Sequence, residues 1–212
     1  MTTTNPSTVL SEQLVELSLA MTSNSFARVE GLWFEDGGLI IRADNTVFRV
    51  YRDMLATHAS GFAGMLAGAS PEFMDGCPFV HLPDSAKDME YFLKALFDFR
   101  FFRPYPALTT FPILAGVLRM SHRYDAADLL KRALFHFSTP FPTSLAEWEN
   151  NSAGVSWTRK GYALPIIAVA RQVSADWIIP AALYHLCETL KEEEILDGVV
   201  VSGSTLKLDR RG

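Results

Sequence analysis

Cysteine is nearly absent: Cys77 and Cys187 are the only two in 212 residues, and they lie far apart. That excludes a disulfide framework. Long apolar runs are lacking as well. The longest, Tyr162 to Ala170, falls far short of the roughly 20 residues needed to span a bilayer. The opening stretch, Met1 to Gln13, lacks the basic region and apolar core of a signal peptide, so the Asn150-Asn151-Ser152 sequon carries no meaning. Positive charge is in deficit, with 19 Lys and Arg against 24 Asp and Glu, a formal net charge of -5. Phosphate binding needs a basic stripe, and the terminal Arg210-Arg211 pair is too short to supply one. The expectation is an intracellular chain, in cytoplasm or nucleus, with neither nucleic acid nor membrane as its partner.

Catalytic signatures are also missing. There is no G-x-G-x-x-G, Walker loop, G-x-S-x-G or H-E-x-x-H. Gly61, Gly64 and Gly68 have the spacing of close packing, not of a phosphate cradle. The five histidines are scattered. Cys77 and His81 stand four apart, but Pro78 and a strand lie between them and no second ligand pair completes the four that zinc takes. Asp125 and Asp128 fit a solvated helix face. No reaction, cofactor or metal is expected.

What is present is an ordinary globular composition, 49% hydrophobic and 20% charged. Leu39-Ile40-Ile41 and Val47-Phe48-Arg49-Val50 are two strands joined by a polar turn, and Arg49 gives the second a wet face. After Arg52 the period changes: Met54, Leu55, Phe62, Met65 and Leu66 fall at helical spacings. Phe79 to Leu82 reads as a third strand. Met89, Phe92, Leu93, Leu96 and Phe97 form a helical stripe opened by a Ser85–Asp88 near-capping box. Pro104 and Pro106 stiffen the next loop. Leu114 to Phe137 reads as a tight antiparallel helix pair.

This order, with Asp36, Phe48, Arg52, Leu55, Phe62, Met65 and Leu66 in register, resembles the BTB/POZ fold over roughly residues 32 to 138. Trp33, Asp36-Gly37, Gly76-Cys77-Pro78 and Asp84-Ser85 resemble in particular the BTB proteins abundant in fungi. The resemblance implies an α+β fold with a short three-stranded sheet flanked by helices, and an all-helical C-terminal extension. It divides the chain into a disordered leader (1–8), a BTB/POZ domain with an N-terminal amphipathic helix (9–138) and the extension (139–212). Two positions depart from the family. Tyr51 replaces a usual His, which implies a rewired hydrogen bond for a buried hydroxyl. Ala59 replaces a usual Ser, leaving Ser60 to supply an N-cap.

The implied function is a protein–protein interaction module that homodimerises and binds other proteins. The alternative within the family is a substrate adaptor recruiting a cullin-type ubiquitin ligase; a ligand-binding protein or enzyme is the alternative outside it. Asp36 and Arg52 occupy family positions near a charged groove at the dimer junction, either shaping it or forming an internal ion pair. Leu14 and Leu17, on the apolar face of the N-terminal helix, are dimer candidates. Phe73 and Asp75 belong to an apolar-x-acidic triplet of the kind cullin adaptors carry, although a loop Phe tucked onto the core explains it as well. Beyond Pro140 and Pro142, Leu145 to Trp148 begins a helix, Asn150 to Gly154 reads as a loop, and residues 162 to 190 hold two helical segments around Ser174-Ala175-Asp176. Pro180 suits a helix start. Val199 to Val201 reads as a short strand or an apolar plug.

Overall fold

The computed structural model describes residues 26–68, 72–144, 146, 149, 162–189, 199–201 and 204–206. The leader and the amphipathic segment with Leu14 and Leu17 lie outside them. Of the helix expected from Leu145, Ala146 and Glu149 are helical; the loop expected at 150–154 is not among the described residues.

The hairpin forms as the alternation dictates. Strands β2 (Leu39–Ala43) and β3 (Thr46–Val50) pair antiparallel, Ile41 opposite Phe48. Asp44 turns the corner in the left-handed region (φ 48°), a conformation that a short polar side chain tolerates. Strand β5 (Cys77–Leu82) returns parallel to β2. The sheet has five strands where three are expected. It is extended at one edge by β1 (Ala27–Trp33), parallel to β3, and at the other by β4 (Glu72–Met74), antiparallel to β5, in the order β1-β3-β2-β5-β4. The architecture is thus α+β with a mixed sheet.

The two faces of the sheet separate by the two-residue period of a strand. Leu39, Ile41, Phe48 and Val50 enter the main core under the helices. Ile40, Val47 and Cys77 form a second, smaller cluster on the other face, packed by Phe26, Trp33, Met74 and Phe79. Leu39-Ile40-Ile41 is apolar without alternation because both faces of β2 are covered. The face expected to be wet is therefore largely dry, and Arg49 lies half-buried with its Nε donating to the Gly37 carbonyl at 2.9 Å.

Two short helices follow, α1 (Arg52–His58) and α2 (Ser60–Gly68). Next come α3 (Ala86–Phe97) and the antiparallel pair α4 (Phe111–Arg123) and α5 (Ala127–Ser138). Met89, Phe92 and Leu93 of the predicted stripe are fully buried on α3. The Ser85 hydroxyl accepts from the Asp88 amide at 3.5 Å, while the Asp44 carboxylate takes the Ala86 amide at 2.8 Å. The Asp88 carboxylate does not close the box. It accepts two bonds from Arg119 of α4, at 2.8 and 2.9 Å, a bidentate clamp between neighbouring helices.

Helix α2 is anchored differently from the expectation that Ser60 caps it. The Ser60 and Gly61 amides donate to the carbonyls of Asp125 and Tyr124, at 3.3 and 3.0 Å, and the Ser60 hydroxyl donates to the Asp125 carboxylate. The α4–α5 turn, with Asp125 at φ 52°, thus satisfies amides that the first helical turn leaves without partners. The approach is close: a Cβ on Gly61 would lie 2.8 Å from the Tyr124 carbonyl oxygen and 2.9 Å from its Cα. Gly61→Ala should therefore push α2 off this turn and cost about 2 kcal/mol, in the usual range for overpacking. A urea titration should show the midpoint falling with an unchanged slope.

Past Phe141, which is buried, come α6 (Ala163–Gln172), a 3-10 turn (Asp176–Ile178) and α7 (Ile179–Thr189). Ser174 (φ 55°) makes the bend, and Pro180 falls at the start of α7, as expected. Leu164, Ile167, Ala170, Ile178 and Leu186 join the same core cluster as the sheet and α4. The extension is not all helical: β6 (Val199–Val201) and β7 (Ser204–Leu206) make a separate antiparallel hairpin. Among the described residues no helix is long and apolar enough to cross a membrane.

Candidate functional site

Asp36 sits in the tight connection between β1 and β2, where the Gly37 amide donates to the Phe34 carbonyl at 2.9 Å. Its Oδ1 accepts a hydrogen bond from the Tyr51 hydroxyl at 2.8 Å. The Tyr51 ring stacks on Phe34 at 4.8 Å, and both approach Phe97, at 6.4 and 5.6 Å. The bond to Asp36 is the main reason the phenol pKa is raised, with desolvation and the carboxylate charge adding to it. Arg52 turns elsewhere, its Nη2 reaching the Leu66 carbonyl at 3.5 Å.

Of the two readings of Asp36 and Arg52, the internal ion pair does not form: Asp36 bonds Tyr51 instead. Tyr51 is the residue that engages the acidic position. Nor is its hydroxyl buried as expected, since the residue is 36% exposed. The result is a half-open aromatic surface with one carboxylate at its rim. Gly37 holds that rim in place. Its carbonyl accepts from Arg49 Nε at 2.9 Å and from Cys77 Sγ at 3.5 Å. A side chain there would meet Arg49 Cγ and the Phe34 carbonyl oxygen at 3.0 Å.

Phe73 and Asp75 lie at the opposite edge of the sheet. Phe73 is not tucked onto the core: it stands 66% exposed on β4, the outermost strand. Asp75, at φ 51°, closes the β4–β5 turn and pairs with Arg28 at 3.3 Å, whose guanidinium also lies over the Trp33 ring at 4.0 Å. An edge strand offers a row of backbone donors and acceptors to an added strand, and Phe73 adds an apolar anchor beside it.

One polar cluster was not foreseen in the sequence. The Asp84 side chain, 2% exposed, takes Arg123 Nη1 at 3.2 Å and a hydrogen bond from the Tyr124 hydroxyl. Burial first, then the bond to Asp84, raises the Tyr124 pKa strongly. An Asp before a helix and a Tyr after one carry no local sign that they will meet. This cluster ties α3 to α4 within the interior. Among the described residues no three His, Cys, Asp or Glu side chains gather into a group that could hold a metal ion. No protein-family model matches the chain, and no curated protein matches it.

Proposed function

We propose that the chain is a BTB/POZ-type protein–protein interaction module that self-associates and docks other polypeptides inside the cell, as a scaffold and not as a catalyst. The order of elements supports the family reading: a β-hairpin, two short helices, a parallel returning strand, a helix and an antiparallel helix pair. The observation that carries the functional reading is Phe73, exposed on an edge strand at the rim of a buried sheet. Large apolar side chains left open beside unpaired backbone are characteristic of surfaces that meet other chains.

That same exposure favours recruitment of a cullin scaffold as the second reading, with Phe73 as the apolar and Asp75 as the acidic member of the triplet. Light scattering on the full chain should give twice the monomer mass of 23.6 kDa; a monomer at about 50 μM, well above the affinity of an ordinary stable interface, would remove self-association. Purified cullin N-terminal domain tests the second reading. Binding abolished by Phe73→Asp supports it, and no binding at micromolar concentration rejects it.

A further inference from the structure

The α3–α4 connection carries a feature that shares no residue with the Asp36 surface or the β4 edge. Phe99, Arg103, Pro104, Pro106, Ala107 and Arg132 line an open groove of about 630 Å³. Large apolar side chains on the same connection and on α5 are left uncovered: Phe99 is 80% exposed, Leu108 94% and Phe135 59%. The groove is held in shape from below. Arg132 Nη1 donates to the Phe102 carbonyl at 3.1 Å, and the His136 ring nitrogen hydrogen-bonds the Arg103 carbonyl at 2.9 Å. Tyr105 stands edge-on to Phe135 and His136, at 5.7 and 5.9 Å.

Charge separates this groove from the rest of the surface. Its lining holds two arginines and no carboxylate, in a chain whose net charge is -5. Asp98, on the same loop, is already taken by Arg100 at 3.3 Å. We infer that this groove binds an acidic peptide segment of a partner protein, one carrying an aromatic or aliphatic anchor flanked by carboxylates. The anchor fits the proline and phenylalanine walls, and the carboxylates meet Arg103 and Arg132, whose planar guanidinium groups suit two-point pairing. Nucleic acid fits less well, because two arginines do not make the continuous stripe that tracks a phosphate backbone.

The test uses the full chain and an array of 12-residue peptides, each with one Phe, Trp or Leu flanked by Asp and Glu, beside counterparts in which Asn and Gln replace the acids. Acidic members should bind at least about tenfold more tightly than their amide counterparts, and weaken as salt rises from about 50 to 300 mM. Arg103→Glu should reduce that binding by a further factor of about ten or more. The Arg103 side chain is exposed, so this change should leave the melting temperature in place. Phe99→Ser, at the other wall, should weaken binding independently.

Equal capture of acidic and amide peptides, absence of capture, or capture undiminished by Arg103→Glu and Phe99→Ser would overturn the assignment. Displacement of bound peptide by a dT12 oligonucleotide would assign the groove to phosphate instead. A change in the oligomeric mass of Arg103→Glu would assign it to a second copy of the chain. A failure here leaves the Phe73 edge untouched, and a failure there leaves this groove untouched, because the two sites have no residue in common.

Discussion

Phe62→Ala should lower the stability of the chain by about 3–5 kcal/mol, the usual cost of truncating a fully buried phenylalanine. Phe62 has no exposed surface. It stacks on Tyr124 at 4.2 Å and faces Phe92 at 6.3 Å, so one ring joins α2, α3 and the α4–α5 turn. Truncation removes the apolar burial and leaves a void bounded by two other rings, which cannot collapse without moving helices. At about 2–4 °C per kcal/mol for a chain of this size, the melting temperature should fall by roughly 10 °C. Phe73→Ala is the matched control. Exposed on β4, it should shift stability by no more than about 0.5 kcal/mol. Equal effects from the two substitutions would contradict the placement of Phe62.

Tyr124→Phe should cost about 2–3 kcal/mol near neutral pH, the range for a hydrogen bond to a charged group. It leaves the buried Asp84 carboxylate with Arg123 alone, whose side chain is about half exposed. The pH dependence gives a second readout. Tyr124 has its pKa raised above the ordinary 10.0 by burial and by Asp84, so the folded state holds this proton more firmly than the unfolded state does. The stability linked to it is fully present below pH 10 and is lost as pH rises from 10 towards the folded value, at about 1.4 kcal/mol per pH unit. Denaturation midpoints of the native chain should therefore fall more steeply between pH 10 and 11.5 than those of Tyr124→Phe. Tyr51 and Tyr184 also have raised values but are common to both proteins and cancel in the comparison. Parallel alkaline limbs would show that Tyr124 does not titrate differently on folding.

Local periodicity made much of the scaffold legible. The β2–β3 hairpin is marked by two short apolar runs around a polar turn, the α3 stripe and the α4–α5 pair by helical apolar faces, and each falls where its pattern places it. The edge strands were harder for physical reasons. β1 contains Gly31 at φ 80° and an irregular register between Arg28 and Trp33, which breaks the alternation on which recognition depends. β4 is three residues long and is defined by its partner β5 more than by its own composition. The β6–β7 hairpin is equally short: the Val199–Val201 run leaves a strand and an apolar plug both open, and its partner β7 carries no signal of its own.

The candidate sites show the same division. Asp36 could be singled out from its position, but its partner could not. Arg52 and Tyr51 are adjacent in the chain, and only the stacking of Tyr51 on Phe34 decides which of them faces the carboxylate. The Asp84–Tyr124 contact and the capping of α2 by the carbonyls of Tyr124 and Asp125 join segments about 40 and 65 residues apart. Neither segment carries a mark of the other. The groove at Phe99 to Ala107 was visible only as a proline-stiffened loop, since its arginines become a pair when α5 brings Arg132 beside Arg103.

The apolar interior does not stop at Pro142. Phe111, at the head of α4, packs against Tyr162 at 5.1 Å, and the buried series continues through Ala170, Ile178 and Leu186. A load applied by a partner at the C-terminal helices would thus be felt by the same side chains that seat the β-sheet. Sheet and extension are mechanically joined, as in a handle cast in one piece with its blade.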